Sequence, residues 1–133
     1  MVVVKRDFRK LARAAALAAD SKKAMDVIVL DIRKESDVAD YMVIAGALSS
    51  AQMGALSDSV EKALGKHGMK ALHREGRPRD RWIALDYGGL VVHLLLTKAR
   101  TFYRLESLWE KAKPVKWNER AHWSPRPPPL HLS

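Results

Sequence analysis

Residues 82–96, WIALDYGGLVVHLLL, predict two strands that fold back on each other around Gly88 and Gly89. Two adjacent glycines can both adopt positive φ at little cost, as a tight two-residue hairpin turn requires. The second strand, residues 90–96, is apolar apart from His93, so we expect it to be buried on both faces near the centre of a sheet. The hairpin therefore predicts a fold built on a buried sheet.

The first strand of this hairpin, residues 82–87, alternates in character, which is typical of a strand with one face on the core. The core-facing set is Ile83, Leu85 and Tyr87, whereas Trp82, Ala84 and Asp86 point the other way. A large aromatic ring and a carboxylate away from the core predict a surface that contacts a partner. The alternative for Trp82 is a core position beneath the helices.

The segments before the hairpin predict a helix, three strands and a loop. Apolar spacing predicts a helix over residues 7–19, and apolar runs predict buried strands at 27–32 and 41–45. Residues 69–73 predict a short strand, and the charged segment 74–81, with its glycine and proline, predicts a basic loop.

Two further helices are predicted from their start signals. Ser49 and Gln52 form a capping box, and the helix that follows ends near Gly65 or Gly68. Thr97 caps a last helix after the hairpin. The order α, β, β, α, β, β, β, α predicts a single α/β domain with a mixed sheet flanked by helices.

The composition is that of one soluble globular domain. The chain has 133 residues, of which 47% are hydrophobic and 29% charged, and it has no cysteine for a disulfide or thiolate site. No apolar run approaches the roughly 20 residues that span a bilayer, so no membrane partner is expected. The net charge of +9 favours a polyanionic partner such as RNA or a ribosomal surface, and the alternative is an ordinary solvated basic surface.

The two ends of the chain differ in character from its middle. The basic, amphipathic N-terminus resembles a transit peptide, but we interpret it as the first helix and expect a bacterial cytoplasmic protein, with an organelle as the alternative. The domain is predicted to cover residues 1–112. Residues 113–133 form a proline-rich basic tail, extended or disordered, whose Trp117 and Trp123 dock either on the domain or on a partner.

Catalytic chemistry is weakly supported. Asp31 and Asp86 each follow an apolar strand, and paired strand-end carboxylates can hold Mg²⁺, but neither belongs to a D-x-D pair. We expect both to bind neighbouring backbone, and His93 to be a hydrogen-bonded structural residue. The sequence therefore predicts no metal, no cofactor and no enzyme; a metal-dependent, nucleotidyltransferase-like enzyme using the two aspartates is the alternative.

Five segments, in order, resemble the Iojap family, the ribosomal silencing factors. They are DSKKAMDVIVLDI, DVADYMVIA, SSAQM, RWIALDYGGLVVHLLL and ARTFYRLESLW, within roughly residues 5–112. The resemblance implies a nucleotidyltransferase-like α/β fold without the catalytic carboxylate pair. It also implies binding to the large ribosomal subunit through large-subunit protein fourteen, where the factor blocks joining of the small subunit and represses translation.

The same resemblance implies a set of partner-binding residues. Trp82 matches a family tryptophan implicated in binding the ribosomal protein, and basic residues of the last helix are candidates for contacts with adjacent rRNA. The set is Trp82, Asp86, Tyr87, Lys98, Arg100 and Arg104. The chain departs from the family pattern at AGALSSAQ, residues 45–52, where ATGTSSRQ is usual, and at Gly89, where an aspartate is usual.

Three alternatives remain open at this stage. Organellar relatives act in large-subunit assembly, so an assembly factor is the first. A free RNA-binding domain that uses the basic loop 74–81 is the second. The third concerns oligomeric state, because an exposed Trp82 face can also form a homodimer away from the ribosome.

Overall fold

The computed structural model describes residues 7–97 and 111–118. The elements, in chain order, are α1 (Phe8–Ser21), β1 (Met25–Asp31), β2 (Tyr41–Ala47), α2 (Ser50–Gly65), β3 (His73–Glu75), β4 (Trp82–Asp86), β5 (Leu90–Leu96) and β6 (Lys113–Pro114). The predicted order is confirmed through β5. The helix predicted after Thr97 lies outside the described residues, as does Trp123.

The strands form one sheet in the order β3-β4-β5-β2-β1-β6. The central pair, β2 and β5, is parallel, and every other neighbouring pair is antiparallel. The chain leaves β2, passes through α2, and adds β3 and β4 before it returns to the sheet centre as β5. The predicted α/β domain with a mixed sheet is thus confirmed.

Side-chain caps fix the starts of both helices. The Asp7 carboxylate accepts from the Lys10 N–H at 3.1 Å, and the Ser49 hydroxyl accepts from the Gln52 N–H at 3.1 Å. The Gln52 side chain reaches back, as the capping box predicts, but it accepts from the Leu48 N–H (2.7 Å). Each cap satisfies backbone donors that the first helical turn leaves unpaired.

Both described helices pack on one face of the sheet. Small residues of α1 make this close approach possible, and they are fully buried: Ala12, Ala15, Ala16 and Ala19. Strand β2 is buried along its whole length, because the helices cover one face and a second apolar cluster lies on the other. The first cluster is called the helix-side core, and the other face of the sheet is called the far face.

Strand β5 differs from its prediction. Leu90, Val92 and Leu94 lie in the helix-side core, but Val91 and His93 on the far face are only half-buried. The prediction of burial on both faces is therefore confirmed for β5 at Leu95, which is fully buried on the far face, and is wrong at Val91 and His93. Burial along the whole strand is found in β2. An apolar run shows that a strand is central, but it does not show whether both faces are covered.

The hairpin turn uses one left-handed glycine instead of two. Gly88 has φ +90°, whereas Gly89 has no positive φ, so the expectation for Gly89 is wrong. A single positive φ at the first turn position is typical of a type II′ turn. Gly89 is required for a different reason: a Cβ there would overlap the ring of Phe8 at the start of α1.

Substituting Gly89 by alanine should therefore lower the free energy of unfolding by about 1–3 kcal/mol, as overpacking typically does. The loss should shrink in a Phe8→Ala background, where the colliding ring is absent. Urea denaturation of the two single variants and the double variant measures this coupling. Equal losses in both backgrounds would show that Phe8 is not the cause.

The edge next to β4 is short and polar. Strand β3 begins at His73, so the strand predicted at 69–73 is displaced toward the C-terminus, and its three residues are all exposed. The predicted basic loop accordingly begins at Gly76, after β3 ends. Inside it, the Arg77 N–H donates to the Asp80 carboxylate at 2.9 Å, which closes the turn.

The beginning of the predicted tail is extended and belongs to the sheet. Strand β6 pairs with β1, Val115 is 5% exposed, and the Trp117 indole N–H donates to the Val27 carbonyl at 3.2 Å. The Val29 carbonyl accepts from the Val115 N–H at 2.8 Å, and the Val27 carbonyl, two residues before it, faces the same edge of β1. The indole therefore satisfies an acceptor beyond the end of the β6 ladder. Of the two open alternatives, Trp117 therefore docks on the domain.

Trp117→Ala should lower the free energy of unfolding by about 2 kcal/mol, because it removes a half-buried ring and one hydrogen bond. Trp117→Phe keeps most of the ring and should cost about half as much. Urea unfolding followed by circular dichroism distinguishes the two. A loss below about 0.5 kcal/mol for Trp117→Ala would show that the ring contributes little to the fold.

Candidate partner-binding surface

The far face carries a half-buried patch at the β4–β5 end of the sheet. Its residues are Trp82, Ala84 and Asp86 of β4 and Val91 and His93 of β5, and they are called the Trp82 surface. Strand alternation places these five side chains on the far face, while Ile83 and Leu85 enter the helix-side core. The predicted division of β4 into two faces is confirmed.

Trp82 is held in one orientation by His93. The indole N–H donates to His93 Nδ1 at 2.9 Å, and the two rings stack with their centroids 5.4 Å apart and their planes at 25°. The ladder pairs Trp82 with Leu95, so His93 is its diagonal neighbour. A ring that is already fixed loses little conformational freedom when a partner covers it.

This hydrogen bond also defines the protonation state of His93. Burial lowers the pKa of His93 to about 4, so the ring is neutral at pH 7. Because Nδ1 accepts the indole proton, the imidazole proton must reside on Nε2. The prediction that His93 is a hydrogen-bonded structural residue is confirmed.

Gly76 sets the backbone position of Trp82. It has φ +86°, and a Cβ at this position would overlap the Trp82 carbonyl. On the other side of β4, the Leu96 N–H donates to the Arg81 carbonyl at 3.1 Å. The start of β4 is therefore held between the loop and β5.

The two strand-end aspartates have local structural roles. Asp86 accepts from the Gly88 N–H at 2.8 Å and supports the hairpin turn. Asp31 accepts from the Arg33 N–H and guanidinium, the latter at 2.7 Å, and these bonds lower the pKa of the Asp31 carboxyl. Both arrangements confirm the prediction that these carboxylates bind nearby groups.

The same aspartates do not form a shared site. Strands β5 and β2 lie between β4 and β1, which separates Asp86 from Asp31 by about 14 Å at ordinary strand spacing. The strand alternation also points them to opposite faces. Within residues 7–97 and 111–118, no cluster of three or more histidine or acidic side chains is arranged to hold a metal ion.

Tyr87 requires a correction to the predicted binding set. It is 2% exposed and packs in the helix-side core, so its side chain is not available to a partner. Burial raises the pKa of Tyr87 to about 12, and its hydroxyl has no hydrogen-bond partner among the described residues. The alternation of β4 continues through the first residue of the turn, which places Tyr87 with the core side chains.

The structure brings together two of the six predicted binding residues, Trp82 and Asp86, and adds His93 and Gly76. Lys98, Arg100 and Arg104 lie outside the described residues.

In the part of the chain that is described, no helix has both the length and the apolar character needed to cross a membrane.

Comparison with known proteins decides the family. A family model described as "Ribosomal silencing factor during starvation", RsfS, matches residues 5–128. This chain belongs to the RsfS family. The resemblance found in its sequence segments is thereby confirmed, and the match extends beyond them into the tail.

Individual relatives agree with this membership. The chain is 34% identical over 104 residues to the ribosomal silencing factor RsfS of Bacillus subtilis, covering 78% of this chain and 88% of the relative. It is 32% identical over 93 residues to "Mitochondrial assembly of ribosomal large subunit protein 1" of Mus musculus, covering 66% of this chain and 40% of that protein. The relatives of this chain thus include a bacterial silencing factor and a mouse protein that is named for mitochondrial ribosome assembly.

The fold agrees with a solved relative as well. A crystal structure of a Chromobacterium violaceum protein superposes with a TM-score of 0.74 at 30% identity, covering 88% of this chain and 98% of the other. The mixed sheet and the two helices described above are therefore the architecture of a solved protein with a related sequence.

Proposed function

We propose that this RsfS-family protein binds the large ribosomal subunit through large-subunit protein fourteen and sterically prevents the small subunit from joining. The observation that carries the proposal is Trp82, a half-buried aromatic ring held by His93 on the far face, away from the core formed with α1 and α2. Rigid aromatic anchors of this kind supply much of the energy of protein interfaces. Its relatives are named silencing factors, which supports the same role.

The proposed mechanism requires only that the protein occupies its binding site on the large subunit, and it involves no chemical step. A standard interface buries about 800 Å² on each partner. The Trp82 surface supplies the centre of such an interface, and Asp86 lies at its turn end. The net charge of +9 accelerates the encounter with an rRNA-rich particle and makes the association sensitive to salt. We therefore propose a cytoplasmic regulator that is not an enzyme.

Order-of-addition experiments test the blocking mechanism. Purified large subunits are incubated with the protein, small subunits are added, and joined ribosomes are separated on a sucrose gradient. Blocking predicts that the protein pellets with large subunits and that joined ribosomes decrease as its concentration rises. Full joining at saturating occupancy of the large subunit would refute steric blocking while leaving binding intact.

A second candidate, an assembly factor for the large subunit, is favoured by the name of the mouse relative. The two functions differ in the particle that they require. Silencing predicts binding to mature large subunits. An assembly factor would instead bind immature particles and dissociate from them once they mature. Pelleting assays with both kinds of particle separate these functions.

A further inference from the structure

The helical side of the molecule carries a second surface, where α1 and α2 lie against each other. Two shallow grooves cross it, with volumes of about 470 and 540 Å³. Their lining is rich in long cationic side chains. The cations are Arg9, Lys10 and Arg13 in one groove and Lys22, Lys62 and Lys66 in the other, and together they are called the helical cation surface.

The two grooves form one surface. Leu17 of the first groove is followed in α1 by Ala18 of the second, and Lys66 of the second is followed by His67 of the first. The grooves therefore meet where the end of α2 lies beside α1. With 14 residues, α1 is about 21 Å long, so the cations are distributed over a length that spans several phosphates of an extended nucleic-acid strand.

The positive charge of this surface is only partly offset within the described residues. None of the six cations forms an ion pair with residues 7–97 or 111–118, whereas Arg33, Arg74 and Arg77 all do. The acidic residues that line the grooves are Asp7 and Asp58. Asp7 already caps α1 by accepting from the Lys10 N–H. A surplus of positive charge therefore faces outward.

We propose that the helical cation surface binds the phosphate backbone of RNA without regard to base sequence. Charge complementarity identifies the ligand, because six cations along two helices match a linear polyanion. Small residues such as Ala18, Ala55 and Ser59 also line the second groove, so a backbone can approach closely there. No phenylalanine, tyrosine or tryptophan lines these grooves, and His67 is their one aromatic ring, so contacts to phosphate are favoured over base readout.

Other partners fit this surface less well. Protein interfaces are depleted in lysine at their centre, whereas four of these six cations are lysines. A membrane-binding helix inserts an apolar face, but the apolar face of α1 is buried in the helix-side core.

The inference that the bound RNA belongs to the ribosome rests on the proposed function. The geometry then implies bipartite binding, with protein at the Trp82 surface and RNA at the opposite side.

Binding of the purified full chain to a fluorescein-labelled RNA hairpin of arbitrary sequence, followed by anisotropy over a salt series, tests this inference without ribosomes. Arg9→Gln, Lys10→Gln and Arg13→Gln are combined in one variant. We expect it to weaken binding at least tenfold at low salt. The slope of log K against log salt should fall by about 2 to 3, as expected for three lost phosphate contacts.

A matched control removes the same charge elsewhere, through Arg77→Gln, Arg79→Gln and Arg81→Gln in the loop before β4. It should retain most of the binding, and Trp82→Ala should retain all of it. Equal losses in the helix and loop variants would overturn the proposal in favour of unspecific net charge. Competition by poly-glutamate as effective as that by RNA would instead identify an acidic protein as the partner. Thermal unfolding confirms that each variant is folded.

The RNA assay and the subunit assay fail independently. Loss of RNA binding in the helix variant, without any blocking of subunit joining by the wild type, would support this surface and refute the proposed function. Blocking by the wild type together with unchanged RNA binding in the helix variant would refute this surface alone.

Discussion

Trp82→Ala should weaken binding to the large subunit at least 30-fold, which corresponds to about 2 kcal/mol for the loss of an aromatic anchor. The substitution removes the largest side chain of the Trp82 surface and leaves His93 Nδ1 without its donor. Suppression of subunit joining should weaken in parallel. Co-sedimentation at several protein concentrations measures the first effect, and sucrose gradients measure the second.

The chain contains a matched control for this substitution. Trp117→Ala removes another half-buried tryptophan whose indole N–H is also hydrogen-bonded, but it lies at the β1 edge and packs on the helix-side core. It should destabilise the fold and leave subunit binding within about twofold of the wild type. If both variants lost binding equally, the effect of Trp82 would reflect stability and the Trp82 surface would not be the interface.

Lowering the pH from 7 to 4 should reduce the free energy of unfolding by up to about 3 kcal/mol through His93. Burial lowers the pKa of this imidazole from 6.5 to about 4 in the folded protein. Between these values the unfolded chain binds more protons than the native state, so acid favours unfolding. Above pH 6.5 the contribution is fully present and constant.

Urea unfolding at closely spaced pH values measures this dependence. His93→Gln should remove it between pH 6.5 and 4, whereas His73→Gln, at an exposed position on β3, should keep it. Asp31, whose pKa Arg33 lowers, loses its contribution at a lower pH, below its ordinary value of 3.8. A His93→Gln variant with the same acid sensitivity as the wild type would assign the effect to other groups.

Local patterns predicted the elements of this fold well. The capping box at Ser49, the apolar runs and the hairpin around Gly88 all depend on neighbouring residues, and each was found within a few residues of its predicted position. Strand order and the coverage of each face depend on contacts between distant segments. For that reason the incomplete burial of Val91 and His93 on the far face of β5 and the sheet position of residues 113–114 did not follow from the sequence.

The candidate site was predictable to the extent that alternation determines it. The alternation in β4 placed Trp82 and Asp86 on the far face and Tyr87 with the core-facing side chains, as the structure has them. Tyr87 entered the predicted binding set only through the family resemblance, against this alternation. The hairpin register makes His93 a diagonal neighbour of Trp82, so their contact could have been derived from the turn position. The role of Gly76 could not have been derived from the sequence, because its need for a positive φ arises from packing against a strand that follows it.

The parallel pairing of β2 with β5 has a consequence for how the chain folds. These central strands lie more than forty residues apart in sequence, and the segment between them contains α2, β3 and β4. The most buried part of the sheet therefore closes a long loop, and the entropic cost of closing it must be met before these contacts form. A nascent chain that ends before β5 has no partner for one edge of β2. Productive collapse during synthesis must consequently wait until β5 has emerged.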